Sequence, residues 1–171
     1  MALLPIIIAP DQRLKVKTKL VEVVDDGLRT FMDDMLETMY AANGIGLAAP
    51  QVGDVRSIIV VDVARAQKEP QPMQIINPEI VWTSDTKHAH EEGCLSLPKN
   101  YIEVIRPEII HLKYLDRLGH ERELEASGIL ATCIQHEMDH LQGILFVDYV
   151  SIVKRSMIFR KLKKAKKQAM E

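Results

Sequence analysis

The amino-acid sequence predicts an α+β fold, with mostly antiparallel sheets packed around a central helix. β-Branched and alternating segments fill the middle of the chain, whereas helical spacing occurs near its start and after residue 127. This order differs from the regular alternation of strand and helix that builds parallel sheets. Apolar residues make up 47% and charged residues 27%, ordinary values for a globular protein rather than a disordered one. The length of 171 residues suits one domain over 1–171.

The first predicted element is an amphipathic helix over 25–42, where apolar side chains recur at helical spacing. Its acidic residues lie near the start, where the helix dipole favours negative charge. Its methionines are predicted to be core residues rather than a methionine-rich binding site. The helix should end near Asn43-Gly44, because glycine tolerates the left-handed conformation that closes many helices.

Strand signals follow this helix. β-Branched runs and alternation predict strands over 56–63, 73–82, 101–116 and 118–126. The segment Asp116–Gly119 has the composition of a hairpin turn.

Two further helices are predicted after the strands. One covers Ser127–Gln142, with Gly143 directly after it, and the other covers Ser151–Ala169. The second carries a basic segment over 154–171, with eight lysines and arginines, although the whole chain has a net charge of −2. Its charges are typical of a solvated helix face or of a surface that attracts a polyanion.

The cysteine content favours a reducing compartment. The chain has two cysteines, Cys94 and Cys133, and no recognisable secretory signal. The apolar start is interrupted by Pro5 and Pro10 and is too short to cross a bilayer. We therefore expect no membrane partner and reduced thiols.

The segment QHEMDH at 135–140 predicts a metal site. His136 and His140 are four residues apart, so a helix presents both on one face, and Glu137 lies beside them as a base for an attacking water. Catalytic sites of this kind usually take a third protein ligand. Phe146 occupies the position at which a metzincin has its third histidine, and no glutamate occurs between Glu137 and Glu171. The third ligand is therefore expected upstream.

Several upstream and neighbouring residues are candidates for that ligand. Cys94 lies in a glycine-containing loop after a strand, and its thiolate would bind a transition metal strongly. Cys133 shares the helical stripe of the two histidines but is also typical of a small core residue. His88 and His90 share one face of a strand and are weaker alternatives.

Three segments together resemble the motifs of the peptide deformylase family. They are GIGLAAPQ at 44–51, EGCLS at 92–96 and QHEMDH at 135–140, in that order. The resemblance implies that Cys94, His136 and His140 bind one divalent metal with a water as fourth ligand, and that Glu137 is the general acid/base. Fe(2+) is the expected ion, and Zn(2+), Ni(2+) or Co(2+) could replace it. The predicted 127–142 helix would then be the central metal-binding helix.

The resemblance also implies the other site residues. Gln51 and the backbone N–H of Leu95 would stabilise the oxyanion, and Gly46 would help to hold Gln51 and the substrate backbone. The substrate-binding residues would be Gly44, Ile45, Gly46, Glu92, Gly93, Ile129 and Cys133. Ile129 is equally compatible with a core position, and the polar His90 and Thr132 fall at pocket positions that are often apolar. Glu92 and Arg106 are expected to form a buried ion pair that steadies the EGCLS loop.

The implied reaction is the removal of formate from N-formyl-methionine at the start of newly made polypeptides. We expect a monomer in the bacterial cytoplasm, with no DNA partner. The basic segment would contact ribosomal RNA near the exit of the nascent peptide. A zincin-type protease and a non-catalytic metal- or ribosome-binding protein are the rival interpretations. The first is disfavoured by Phe146, and the second by the presence of Glu137 and Gln51.

Overall fold

The computed structural model describes residues 2–64 and 69–170, and these form the predicted α+β fold. The helices are α1 Asp26–Ala41, α2 Gly128–Leu141 and α3 Ile152–Ala169. The strands are β1 Gly46–Ala48, β2 Ile58–Val61, β3 Met73–Thr83, β4 Lys87–Cys94, β5 Leu97–Pro107, β6 Ile109–Leu115 and β7 Glu121–Ser127. Residue 1, residues 65–68 and Glu171 of the predicted 1–171 domain lie outside the described part.

The strands form two antiparallel sheets in the described chain. One has the order β1-β2-β3-β6-β7, and the other is the hairpin β4-β5. The apolar side of α2 packs on the larger sheet, where Ile134 and Leu141 share a core with Ile59 and Ile75. The opposite side of α2 faces the hairpin, since His136 contacts a β4 side chain. The central helix is therefore clamped between the two sheets, as predicted.

Helix α1 follows its predicted span closely. Asp25 caps it by accepting a hydrogen bond from the Leu28 N–H at 2.9 Å. Its buried methionines pack against β2, which confirms that they are core residues. The helix ends at Ala41, and Asn43 rather than Gly44 takes the left-handed conformation, with φ 58°. Asparagine tolerates this conformation better than most residues.

The single strand predicted over 101–116 is wrong, because the chain changes sheet within it. β5 ends at Pro107 in the hairpin, and β6 begins at Ile109 in the larger sheet. Pro107 has no N–H to continue a ladder, which suits the end of a strand. The alternation of apolar residues continues across the break because each strand buries one face in its own sheet.

Two further strands were not predicted with bounds. β1 is only three residues long, and the polar residues of β4 conceal its period. Cys94 is the last residue of β4, not a loop residue, and Leu95 and Ser96 form the tight turn to β5. The predicted turn at Asp116–Gly119 is confirmed, since Asp116 accepts hydrogen bonds from the N–H groups of Leu118 and His120.

Helix α3 carries the basic segment on an exposed surface. Ser151 caps the helix. The side chains of Ile158 and Leu162 pack into a core that includes Phe146 and so hold the helix against the rest of the protein. Most of its lysines and arginines are exposed. No helix in residues 2–64 and 69–170 is long and apolar enough to span a membrane.

Candidate metal centre

Three potential metal ligands meet between α2 and the end of β4. His136 and His140 lie one turn apart on α2, with ring centroids 5.1 Å apart. The Sγ of Cys94 lies 3.5 Å from Nε2 of His140. The candidate ligand atoms of Cys94, His136 and His140 all lie within 4.8 Å of one another. The structure thus brings together the three residues predicted as ligands.

The alternative ligands lie elsewhere in the described structure. Cys133 is buried, and its thiol donates to the carbonyl of Ile45 at 3.5 Å. His88 is exposed and lies 3.3 Å from Glu108. Neither Cys133, His88 nor His90 belongs to the group of ligand atoms. Cys94 is therefore the third ligand that the geometry favours.

A buried carboxylate fixes the orientation of His136. Glu92 Oε1 accepts a hydrogen bond from His136 Nδ1 at 2.9 Å. Arg106 donates to both oxygens of Glu92, at 2.7 and 2.9 Å, and to Asp139 Oδ2 at 2.9 Å. Burial raises the pKa of Glu92. The hydrogen bonds from His136 and Arg106 together lower it by more than burial raises it, so the pKa of Glu92 is below its usual value. Glu92 is ionised, and Nε2 of His136 is left for a metal.

The network around Arg106 extends to Asp139 and Tyr149, which the sequence did not indicate as partners. Asp139 also accepts a hydrogen bond from the hydroxyl of Tyr149 at 2.7 Å, and the Arg106 guanidinium lies 5.2 Å from the centre of the Tyr149 ring. Tyr149 follows α2 and precedes α3 in the chain, so nothing in its local sequence pattern indicates this contact.

The charges around the two histidines favour one cation. Burial lowers the pKa of His136, but Glu137, Cys94 and Glu92 raise it well above its ordinary value. Burial, with the positive charges of His136 and Arg106, lowers the pKa of His140 well below its ordinary value. The surroundings of the two histidines therefore favour one positive charge, on His136, and oppose a second one on His140.

Glu137 lies beside the ligands and is 5% exposed. Burial is the main cause that raises its pKa to about 7; His136 lowers it, and Glu92 raises it. Within the described residues, Glu137 Oε1 and His140 Nδ1 are the buried side-chain atoms without a hydrogen-bond partner. An acceptor left unsatisfied in a buried site is costly unless a ligand or water completes it.

Gln51 is held in the centre with its amide directed at the ligands. It is 1% exposed, and its Oε1 accepts from the Ala48 N–H at 2.9 Å. Its Nε2 donates to Ser96 Oγ at 3.0 Å and lies 3.7 Å from Cys94 Sγ. Ser96, which the sequence did not indicate as a site residue, therefore helps to orient this amide.

An open groove of about 410 Å³ leads to the centre. Cys94 and Glu137 line it, together with the predicted residues Gly44, Ile45, Gly46, Gly93 and Leu95. The sequence did not indicate the other polar residues of its wall, which are Asn43, Lys99, Asn100 and Tyr101. The placement of Lys99, Asn100 and Tyr101 depends on the pairing of β4 with β5, which no local pattern specifies, whereas Asn43 lies between α1 and β1.

The glycines of this groove are required by close contacts. A Cβ on Gly46 would lie 2.5 Å from Glu137 Oε2 and 2.8 Å from Cys133 Sγ. A Cβ on Gly44 would lie 2.7 Å from the Leu95 side chain. Three other predicted substrate-binding residues lie apart from the lining: Glu92 is buried and paired with Arg106, Ile129 is 56% exposed at the start of α2, and Cys133 is buried behind Gly46. Ile129 is thus not a core residue.

Comparison with known proteins agrees with this geometry. Residues 3–156 match the family model described as polypeptide deformylase. This chain belongs to the polypeptide deformylase family. The peptide deformylase of Methylocella silvestris is 52% identical over 170 residues, which cover 98% of this chain and 87% of that protein. That of Phenylobacterium zucineum is 52% identical, covering 99% of this chain and 100% of that protein.

Solved structures of the deformylase family share the fold. The peptide deformylase of Ehrlichia chaffeensis superimposes with a TM-score of 0.95 at 40% identity, covering 99% of this chain and 100% of that one. A second structure from that organism, in complex with actinonin, has a TM-score of 0.92 at 43% identity and covers 96% and 98%. The chain is therefore an enzyme of the deformylase type.

Proposed function

We propose that this chain is a metal-dependent hydrolase that removes the formyl group from N-formyl-methionine at the start of newly made polypeptides and releases formate. The observation that carries the proposal is the meeting of Cys94, His136 and His140 beside Glu137 at the inner end of an open groove. Membership of the deformylase family supports the choice of substrate.

The residues present fit a divalent metal. One thiolate and two imidazole nitrogens suit zinc, ferrous iron, nickel or cobalt. Their atoms lie within 4.8 Å of one another, and the anionic groups around His136 favour a cation. An ion bound there would polarise the formyl carbonyl and lower the pKa of the attacking water. We propose Fe(2+) as the ion in the cell, with Zn(2+), Ni(2+) or Co(2+) as substitutes.

Glu137 is the proposed general acid/base. A carboxyl whose pKa is about 7 can accept a proton from the attacking water and deliver it to the leaving amine at neutral pH. Two observations support this role: Glu137 lines the groove together with Gly46, and its buried Oε1 has no hydrogen-bond partner among the described residues. This transfer turns a poor leaving group into a neutral amine.

Two donors are proposed to stabilise the oxyanion that forms when the carbonyl is attacked. The Nε2 amide of Gln51 is fixed by the hydrogen bond that its Oε1 accepts from Ala48. The backbone N–H of Leu95 lies in the turn directly after Cys94. Removal of one such donor typically costs about 2.7–4 kcal/mol of transition-state stabilisation.

The groove suits an extended peptide. Gly44 and Gly46 line the groove and have no side chain to keep a substrate backbone away, while Ile45 supplies apolar surface near the metal centre for the methionine. We propose that the enzyme acts as a monomer in the bacterial cytoplasm, where formylated chains are made. The exposed basic face of α3 would attract ribosomal RNA. Ribosome co-sedimentation that survives truncation after Val153 would refute that contact.

The test of the proposed reaction is formate release from a short N-formyl-methionyl peptide. The protein is purified without oxygen and loaded with ferrous ion, with a chelator as control. Glu137→Ala is expected to keep the bound metal and to lose turnover, because it removes the proton carrier and no ligand. A metal-loaded, folded wild-type protein that releases no formate would contradict the proposal.

A further inference from the structure

One wall of the groove carries a bulge, defined here as residues 98–100. In the β4–β5 hairpin, Cys94 pairs with Leu97, whereas the preceding Gly93 pairs with Tyr101. Gly93 and Cys94 are adjacent in β4, but three residues of β5 separate their pairing partners. Bulges of this kind beside active sites redirect side chains that a regular strand would place elsewhere.

The bulge is held on both sides. Leu97 before it and Ile102 after it are buried in the same core, and Asn100 Nδ2 donates to the Pro98 carbonyl at 3.0 Å. At its centre Lys99 has φ 65°. A left-handed lysine is uncommon, and such residues persist where the surrounding structure holds them, often at binding sites.

Among the described residues, Lys99 is the one basic residue that lines the groove. It is exposed, and none of the ion pairs of residues 2–64 and 69–170 includes it. The other charged residue of the lining, Glu137, is buried at the metal end. The wall beyond the metal centre therefore presents a positive charge without a partner.

The acidic residues of the hairpin near the bulge do not cancel this charge within the groove. Glu92 is buried and paired with Arg106, which leaves Glu91 and Glu103 as the nearest exposed carboxylates of β4 and β5. Glu91 and Glu103 pair with each other, two residues beyond the pair of Gly93 and Tyr101. A strand rises about 3.3 Å per residue, so this pair begins about 7 Å further from the groove. Neither glutamate belongs to the lining.

We propose that Lys99 is a specificity-determining residue, which favours formylated chains with an acidic side chain among the residues that follow the methionine. The inference rests on the proposed function, because the formyl end of the substrate must lie at Cys94 and Glu137 for the rest of the peptide to run along the groove. Complementary charges at an exposed wall change affinity modestly and are weakened by salt.

The experiment compares kcat/KM for formyl-methionyl peptides that carry Asp, Ala or Lys at the second, third or fourth position. The proteins are the wild type, Lys99→Gln, Lys99→Glu and the control Lys87→Gln. Glutamine keeps a long side chain at the left-handed position and removes the charge. Lys87 is exposed at the far end of the same hairpin, opposite Pro107, so its substitution removes one charge away from the groove.

We expect the ratio of kcat/KM for the Asp and Lys peptides to fall about three- to tenfold in Lys99→Gln, and further in Lys99→Glu, at one or more positions. Lys87→Gln should leave the ratio unchanged, and high ionic strength should lower the ratio of the wild type itself. The salt dependence is measured on the wild type alone, so it tests the inference even if the Lys99 variants fold poorly.

Two results would overturn the inference, and they are distinguishable. An unchanged ratio at all three positions in variants that still deformylate the Ala peptides would refute the role of Lys99 and leave the proposed function standing. Release of formate from none of the peptides by the metal-loaded wild type would refute the proposed function, and the specificity with it.

Discussion

Glu92 on β4 and His136 on α2 are joined by a 2.9 Å hydrogen bond between Oε1 and Nδ1, across the junction of the hairpin and the central helix. The bond ties a proposed metal ligand to the strand that ends in Cys94, which is another. Since Arg106 binds both oxygens of Glu92, the carboxylate has little freedom to move. Glu92, which is not one of the three candidate ligands, therefore fixes His136 relative to the strand that carries Cys94.

The first prediction concerns metal affinity. Glu92→Gln keeps the size of the side chain but removes the charge that draws the Nδ1 proton of His136. We expect metal affinity to fall about 10- to 100-fold, as is typical when such a partner of a ligating histidine is lost. Competition with a chelator of known affinity measures the change. Glu125→Gln is the control, because Glu125 accepts from the exposed His111 at 2.7 Å, on the other sheet; its metal affinity should match the wild type.

The second prediction concerns the buried ion pair. Arg106→Met should lower the free energy of unfolding by about 3–5 kcal/mol, because the buried Glu92 loses both hydrogen bonds from the guanidinium and keeps only the one from His136. The solvent-screened pair of Arg122 and Asp116, at 2.8 Å, gives the control: Arg122→Met should lower the free energy of unfolding far less than Arg106→Met does. Urea denaturation of the two variants measures both values. Equal losses would show that the buried position of Arg106 confers no special importance.

The third prediction concerns the dependence of stability on pH in the metal-free protein. The folded pKa of Glu137 is about 7, above its ordinary value of 4.5. Between these values the unfolded chain releases the proton while the folded protein retains it. The contribution of Glu137 is therefore fully present below pH 4.5 and is lost as the pH rises to 7.

Glu137→Gln removes this titration. Relative to the wild type, its free energy of unfolding should rise by up to about 3 kcal/mol from pH 4.5 to 7, at about 1.4 kcal/mol per unit of pKa shift. Chelator-treated proteins unfolded in urea at several pH values provide the measurement. Parallel curves for the two proteins would mean that Glu137 titrates normally in the folded state.

The sequence was most informative about features formed by residues that are close together in the chain, such as a catalytic motif or the apolar face of a helix. His136, Glu137 and His140 lie within one turn of a helix whose span was predicted almost correctly, and the core methionines of α1 follow from period alone. The resemblance to the deformylase family selected Cys94 and Gln51. Residue types and spacing alone made Cys94 one of several candidates for the third ligand and did not indicate Gln51 at all.

Contacts that depend on strand pairing were beyond sequence reasoning. The break at Pro107 was missed because two strands of different sheets share one alternating pattern. Ser96 and Lys99 reach the site only because a tight turn and a three-residue bulge follow Cys94. Tyr149 reaches Asp139 from the short 3₁₀ helix Phe146–Tyr149, which lies between α2 and α3, and no helical period connects the two residues.

The last prediction concerns Gly46, where a Cβ would lie 2.5 Å from Glu137 Oε2 and 2.8 Å from Cys133 Sγ. Both neighbours are buried on α2, so Gly46→Ala must displace Glu137 or the strand, and kcat should fall by more than tenfold. Overpacking of this kind also costs about 1–3 kcal/mol of stability.

Gly27→Ala is the matched control, since its Cβ would meet one atom, Asp25 Oδ1, at an ordinary 3.5 Å. In helix α1 that alanine should stabilise the fold by about 0.5–1 kcal/mol and leave formate release unchanged. Retention of full kcat by Gly46→Ala would show that Glu137 can move aside without loss, which would contradict its proposed role as a positioned acid/base.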